Sequence, residues 1–289
     1  MSQAIEDYLN KGYYLKGKEN KEIAVLMIHG FAASPVELQP LAEYLKPDFD
    51  IYAPILPGHK TNIEDFDKQK YTDWLKFSEK IYTRLLEEYS KVVLLGFSMG
   101  GTICLYLSTK KAPYKLITLS SPINFLDADF AKIILADWKK TNLSLSMILN
   151  EIKEISKKEP HADKATPAKM KLVINNIYKK VIKDFNIENE DMNGFVDTYN
   201  QISYNAIQEI FKLVKYVKTQ ASKVNSDILI IHSKKDYLIP VSNSKEILNS
   251  VSSNNIELFI LEESGHQIMI DKEHDIVFRK VKEYINRKI

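Results

Sequence analysis

Hydrophobic residues along the chain fall into short, uninterrupted runs separated by longer segments of helical periodicity. The runs are IAVLMIH (23–29), DIYAPIL (50–56), KVVLLGF (91–97), KLITLSS (115–121), DILIIHS (227–233) and IELFILE (256–262). Their apolar character is continuous, which is typical of strands buried on both faces of a parallel sheet. Segments 34–46 and 71–90 have helical patterns, and the first opens with a Ser-Pro helix signal. This alternation predicts an α/β fold with a mostly parallel central sheet flanked by helices.

One long segment, residues 123–205, interrupts the alternation. It contains helical patterns such as FLDADFAKIILADWKK and MKLVINNIYKKVIKDF but no convincing buried strand. We therefore predict a helical cap inserted between two parts of the core, residues 1–122 and 206–289. Within the cap, residues 132–183 carry 12 lysines and five acidic residues, whereas residues 184–197 carry five acidic residues and no lysine. These charges indicate either solvated helix faces or a docking face for an anionic lipid or partner.

Composition narrows the class of protein further. With 289 residues, 45% of them hydrophobic and 27% charged, the chain is long enough to bury a full core. A net charge of +2 gives no electrostatic reason to expect a nucleic-acid partner. The lone Cys104 cannot form an internal disulfide, the N-terminus lacks the apolar region of a signal peptide, and no apolar run approaches a membrane span. We expect a cytoplasmic protein without stable membrane insertion.

The segment VVLLGFSMGGTI (92–103) places Ser98 between glycines directly after a predicted strand. The chain has only nine glycines, and Gly96, Gly100 and Gly101 are three of them. G-x-S-x-G between a strand and a helix fits a nucleophile elbow, in which the flanking glycines avoid collisions with the crossing backbone. The Ser98 hydroxyl would then lie at a helix N-terminus, where N–H groups favour negative charge. An ordinary structural turn is the alternative.

A serine nucleophile needs a base, and the chain has six histidines. His266 is the best placed, because it follows the last predicted strand in a Ser-Gly turn at the sheet edge where Ser98 also lies. His232 ends a strand run and is interpreted as a satisfied strand-end histidine. Asp236 follows the same strand run at the catalytic edge and is the acid expected to hold His266, whereas Asp227 precedes that run and would lie at the opposite edge.

Acyl transfer also requires two N–H donors for the oxyanion of the tetrahedral intermediate. The segment MIHGFAASP (27–35) joins the first strand run to the first helix and can supply one donor. We expect an oxyanion hole formed by the backbone N–H groups of Phe31 and of Met99, the residue after the nucleophile. The Phe31 side chain is also a candidate wall of the acyl pocket. His29 is interpreted as a hydrogen-bonding residue that fixes this loop.

These segments together resemble the α/β-hydrolases, in particular the bacterial carboxylesterase and monoacylglycerol lipase group. The similarity includes LMIHGFAASPVELQPLAEYL, IYAPILPGHKTNIEDF, WLKFSEKIY, LLGFSMGG, SKKDYLIP and EESGHQIMIDKEHDIV, in the order of that family. It implies an α/β-hydrolase fold with an inserted cap, a triad of Ser98, Asp236 and His266, and an oxyanion hole from the Phe31 and Met99 amides. It also implies hydrolysis of a small-molecule ester through an acyl-enzyme, without a metal or an organic cofactor.

The chain departs from that family at two places. The usual Pro-Gly-His-Gly segment is here PGHK, with Lys60 in the last position. The insertion is longer than the compact lid of small esterases and contains no recognisable motif. Its apolar residues Phe125, Ile133, Ile134 and Trp138 are candidates for contact with the acyl chain, and packing inside the cap is an equally open alternative because their spacing is helical.

The main functional prediction is a serine esterase that acts on monoacylglycerols or other short- to medium-chain acyl esters, including lipid-like ones. The same triad would also serve an acyltransferase, a thioesterase or a C–C bond hydrolase. A dehalogenase or an epoxide hydrolase is disfavoured, because those enzymes carry an aspartate at the position of Ser98. A non-catalytic binding module on this fold is the least favoured function, since all three catalytic positions carry competent residues.

Overall fold

A seven-stranded sheet forms the centre of the protein. The structure is a computed structural model and describes residues 12–17, 20–124, 204–236 and 238–287. The strands are β1 (Tyr13–Leu15), β2 (Asn20–Ile28), β3 (Phe49–Ala53), β4 (Lys91–Phe97), β5 (Lys115–Leu119), β6 (Ile228–Ser233) and β7 (Ile256–Leu261). The predicted cap lies almost wholly outside the described residues, and Phe125, Ile133, Ile134 and Trp138 lie outside them as well.

Helices connect the strands. They are α1 (Gln39–Leu45), α2 (Ile63–Lys68), α3 (Tyr71–Glu88), α4 (Met99–Lys110), α5 (Tyr204–Lys218), α6 (Ser242–Ser250) and α7 (His274–Asn286). The predicted helix over 34–46 is divided into a 3₁₀ helix, Pro35–Leu38, followed by α1. Pro40 lies in the first turn of α1, where its missing N–H would have no partner within the helix in any case.

The strand order is β1-β3-β2-β4-β5-β6-β7. The pairing of β1 with β3 is antiparallel, and each of the other neighbouring pairs is parallel. All six predicted strands are confirmed, whereas β1 was not predicted because its three residues are too few to give a pattern. Most residues of β7 are only half-buried, contrary to the expected burial on both faces, because β7 forms an edge of the sheet.

Two apolar cores lie on opposite faces of the sheet, so the fold has three layers. Side chains of β2 alternate between them: Leu26 packs into one core with residues of α3, α4 and α5, and Met27 into the other with residues of α1 and α7. Helix α4 is buried along almost its whole length, which its nearly uniform apolar sequence requires. None of the helices in the described ranges is long and apolar enough to cross a bilayer.

Candidate active site

The turn between β4 and α4 holds Ser98 in a backbone conformation that non-glycine residues rarely adopt. Ser98 has φ 51° and ψ −122°, and it is 8% exposed. Strain of this kind costs on the order of 1–3 kcal/mol and persists only where the surroundings enforce it. Here the backbone N–H of Ser98 donates to the Leu119 carbonyl at the end of β5, at 2.8 Å.

The glycines around this turn provide the clearance that the sequence predicts. A Cβ atom on Gly96 would collide with the backbone of Gly100, and one on Gly100 would collide with the carbonyl of Ile28 in β2. A Cβ atom on Gly101 would collide with the side chain of Ser121, so Gly101 lets α4 pack closely against the end of β5. The elbow geometry is therefore confirmed in its backbone conformation and in its contacts.

His266 lies in the loop after β7 and is hydrogen-bonded to Asp236. Its Nδ1 lies 2.8 Å from Asp236 Oδ2, and the two residues are only 4% and 8% exposed. Because a carboxylate accepts, Nδ1 carries the proton and Nε2 keeps its lone pair in the neutral ring. The His266 ring also packs against the ring of Phe97, the residue before Ser98, with centroids 5.0 Å apart. The fold thus brings all three predicted residues to the C-terminal edge of the parallel strands.

Asp236 is held by four N–H donors. The backbone N–H groups of Leu238 and Ile239 donate to Oδ1 at 2.9 and 2.8 Å, and His266 donates to Oδ2. His232 Nε2 lies 3.2 Å from Oδ2 and 2.9 Å from the Ile239 carbonyl, so Nε2 carries the proton and is shared between two acceptors. Burial alone would raise the pKa of Asp236, but the two imidazoles hold it well below its usual range.

The participation of His232 in this site was not predicted from the sequence. Its position at the end of an apolar strand run is equally typical of a core histidine. Its ring is fully buried, and among the described residues its Nδ1 has no hydrogen-bond partner. The i to i+4 spacing from His232 to Asp236 across the strand-end turn is the signal that pairs them.

Two carboxylates hold the loop that carries His266. Glu273, at the start of α7, accepts the backbone N–H groups of residues 262–264 at 2.8 to 3.1 Å. Asp271 accepts the N–H of Gly265 at 2.6 Å. Burial would raise the pKa of Glu273, but these hydrogen bonds lower it. Both carboxylates therefore act on the shape of the loop rather than on the imidazole.

The loop after β2 brings Gly30 next to Ser98. A Cβ atom on Gly30 would lie 3.5 Å from the Cβ of Ser98. His29 Nε2 accepts the Leu56 N–H at 3.0 Å, so His29 Nδ1 carries the proton and donates to the Gly30 carbonyl at 2.8 Å. Burial lowers the pKa of His29 to about 4, so the ring is neutral at physiological pH. His29 therefore holds this loop through two hydrogen bonds, as the sequence predicts.

The Phe31 and Met99 amides belong to the two segments next to Ser98, the loop after β2 and the start of α4. The described peptide bonds are all trans, so the Phe31 N–H points away from the Gly30 carbonyl that faces His29. Met99 is the first residue of α4, where the N–H has no acceptor within the helix. Within the described ranges, neither amide is paired with a backbone carbonyl.

An aromatic cluster lies behind Phe31. The half-buried Phe31 ring packs against Phe66 and Trp74, with centroids 5.4 and 6.0 Å away. The buried His59 ring contacts the same two side chains at 4.8 and 5.7 Å. Lys60, which follows His59, has φ 58°, in the left-handed region that favours glycine.

The arrangement combines a strained serine, a buried histidine–carboxylate pair and two amides that no described backbone carbonyl occupies, which are the groups that acyl transfer requires. Among the described residues, no group of three or more His, Cys, Asp or Glu side chains is arranged to hold a metal ion. The chemistry available from these side chains is nucleophilic attack assisted by a general base.

Comparison with known proteins gives the same fold and identifies the family. The chain is 24% identical over 268 residues to a thermostable monoacylglycerol lipase of Bacillus sp. (strain H-257), covering 92% of this chain and 91% of that protein. It is 22% identical over 279 residues to a carboxylesterase of Bacillus subtilis (strain 168), covering 96% of each. A solved structure from work on LipS and LipT, two metagenome-derived lipolytic enzymes, matches with a TM-score of 0.69 at 19% identity, over 96% of this chain and 99% of that one. The family model Hydrolase_4, described as serine aminopeptidase, S33, matches residues 19–273, and the chain therefore belongs to this family of α/β-hydrolases.

Proposed function

We propose that this protein is a serine esterase that hydrolyses carboxylic esters with an apolar acyl group. The observation that carries the proposal is the buried His266–Asp236 hydrogen bond at the sheet edge where Ser98 is strained at the elbow. Membership of a family of serine hydrolases supports it, as does similarity to proteins named monoacylglycerol lipase and carboxylesterase.

In the proposed reaction, Ser98 Oγ attacks the ester carbonyl carbon while His266 Nε2 accepts the hydroxyl proton. The carbonyl oxygen becomes an oxyanion and accepts hydrogen bonds from the Phe31 and Met99 amides. His266 then protonates the departing alcohol as the C–O bond breaks. The acyl-enzyme is hydrolysed in the same way, with water in place of Ser98, and Asp236 keeps the imidazole oriented and stabilises its cationic form.

The aromatic cluster supports the choice of an apolar acyl group. Phe31 contributes one oxyanion donor through its backbone and lines the adjacent space through its ring, which is backed by Phe66 and Trp74. An acyl chain that is bound through Ser98 would lie beside these rings and remove their apolar surface from water.

The test is covalent labelling followed by turnover. A fluorophosphonate probe should label the unmodified protein and should fail to label Ser98→Ala, because the probe reacts with an activated serine. Rates on p-nitrophenyl esters of increasing acyl length should then rise to an optimum that reports the length of the pocket. Absence of labelling in the unmodified protein would exclude the serine hydrolase, and labelling without turnover of any ester would favour an acyltransferase or a C–C bond hydrolase.

A further inference from the structure

A carboxyl group is buried beside the proposed oxyanion hole. Glu37 lies in the 3₁₀ helix Pro35–Leu38 and is only 4% exposed. Its Oε1 accepts the N–H of Gly30 at 2.5 Å, and a Cβ atom added to Gly30 would lie 3.1 Å from the same oxygen. Acidic side chains are almost never buried unless a partner compensates for the lost hydration, so this contact requires a physical reason.

The contact fixes the peptide next to the one that carries the Phe31 amide. Hydrogen bonds fix two consecutive peptide groups. Glu37 accepts the Gly30 N–H of the His29–Gly30 peptide, and His29 donates to the Gly30 carbonyl of the Gly30–Phe31 peptide. Because the Phe31 N–H belongs to the same planar peptide as that carbonyl, its direction is set by these two hydrogen bonds. Glu37 therefore acts on the proposed oxyanion donor through Gly30 and does not touch the reacting atoms.

Glu37 also contacts the loop of the base. The side chain of Gln267, the residue after His266, interacts with the Glu37 carboxyl group. In the described part of the chain, Gln267 Oε1 is buried and has no hydrogen-bond partner, so the Gln267 side-chain N–H makes the contact with Glu37. Glu37 therefore accepts hydrogen bonds from both loops, one from the Gly30 N–H and one from the Gln267 side chain.

Burial without a cation nevertheless favours the neutral acid form of Glu37. No lysine or arginine among the described residues is paired with it. Tyr13 on β1 lies within electrostatic range of Glu37 and of Glu43 on α1. Burial raises the pKa of Tyr13 well above its usual value, with smaller contributions from Glu43 and Glu37, so Tyr13 supplies no charge. Burial likewise raises the pKa of Glu37 to about 8, against the opposing hydrogen bonds of Gly30 and Gln267.

We propose that Glu37 is a positioning residue which, as a neutral carboxylic acid, ties the oxyanion loop to the loop that carries His266. This inference rests on the proposed esterase function for its kinetic consequence. Ionisation of Glu37 would place an anion next to the site where the oxyanion develops, which opposes catalysis. Turnover should therefore fall as Glu37 loses its proton.

The kinetic test compares kcat and KM from pH 6 to pH 10 for the wild type and three variants. Glu37→Met removes both hydrogen bonds at similar volume and should lower kcat about tenfold or more at pH 7 while changing KM little. Glu37→Gln keeps an amide oxygen that can accept from Gly30 and from Gln267, so it should restore most of that loss. One pH unit above a pKa leaves about a tenth of an acid protonated, so the ratio of kcat for wild type to kcat for Glu37→Gln should fall about tenfold between pH 7 and pH 9. Glu43→Gln, on the exposed side of α1, is the matched control and should follow the wild type.

A spectroscopic readout decides the protonation state independently of turnover. The wild type at pH 7 should show an infrared carbonyl band of a buried protonated carboxyl group that is absent in Glu37→Gln and disappears as the pH is raised. If that band is missing, or if Glu37→Gln follows the wild type across the whole pH range, the proposal is overturned. Wild-type protein that shows the band but neither reacts with a fluorophosphonate nor hydrolyses esters would overturn the esterase function and leave the protonated Glu37 standing.

Discussion

Replacing Asp236 by asparagine tests the proposed triad at the group with the most complete set of contacts. In the native site Oδ1 accepts two backbone N–H groups, and Oδ2 accepts His266 and His232. The substituted amide can keep the Oδ1 contacts, but its Nδ2 donates and would then face two imidazole N–H groups. His266 would move its proton to Nε2 so that Nδ1 can accept from the amide, and it would lose the lone pair that receives the Ser98 proton.

The expected cost is large for turnover and small for folding. Loss of the correct tautomer lowers kcat by about ten-thousandfold, which corresponds to about 5.5 kcal/mol of transition-state stabilisation. The folded state loses the acceptor for His232, which still has the Ile239 carbonyl, and the free energy of unfolding should fall by about 1–3 kcal/mol. The variant should therefore remain folded and be nearly inactive.

The assay measures kcat on a p-nitrophenyl ester together with the melting temperature. Asp227→Asn is the matched control, because Asp227 lies at the opposite end of β6 and pairs with the nearly buried Lys115 at 2.8 Å. It should cost stability while kcat stays within about twofold of the wild type, since surface and edge contacts far from the site add independently. Turnover of Asp236→Asn within about tenfold of the wild type, or an equal loss in Asp227→Asn, would refute the assignment of Asp236.

Three further predictions concern stability. Burial raises the pKa of Glu37 in the folded protein from its ordinary value of 4.5 to about 8, so Glu37 ionises first in the unfolded chain. Its contribution to stability is therefore complete below about pH 4.5 and is lost as the pH rises to 8. By linkage the loss of stability is about 5 kcal/mol. Glu37→Gln should abolish this pH dependence, so its melting temperature should rise relative to that of the wild type between pH 5 and pH 8. Melting temperatures that change in parallel would contradict the raised pKa of Glu37. Lys60→Gly should raise the free energy of unfolding, measured by urea titration, by about 0.5–1 kcal/mol, because glycine tolerates φ 58°. A decrease in that free energy would mean that contacts of the lysine side chain outweigh the backbone strain. Gly100→Ala should destabilise the fold by about 3 kcal/mol or more, because the alanine Cβ would collide with the Ile28 carbonyl. A melting temperature equal to that of the wild type would show that β2 and α4 can move apart without loss of stability.

The strands and the order of the site residues could be predicted from the sequence because burial on both faces of a parallel sheet requires continuous apolar runs. The runs that end before Ser98, Asp236 and His266 correspond to β4, β6 and β7, and parallel strands bring their C-terminal ends to one edge. The glycines of the elbow could be predicted as well, since clearance at a sharp turn depends on residues close in the chain. The predicted division into a core and a cap, the cytoplasmic location and the absence of a cofactor stay predictions.

The partners of polar side chains depended on tertiary structure. Glu37 occupies a position in an amphipathic segment where an acidic residue would ordinarily face water, and only the packing of the loop after β2 against that segment turns it toward Gly30. His232 has the same sequence context whether it is a core histidine or a donor to Asp236. The sequence by itself therefore determined which residues are buried in strands and where the catalytic edge lies. The tertiary structure decided which polar groups meet there, because a hydrogen bond requires atoms within about 3 Å and such distances are set by loops that are far apart in the chain.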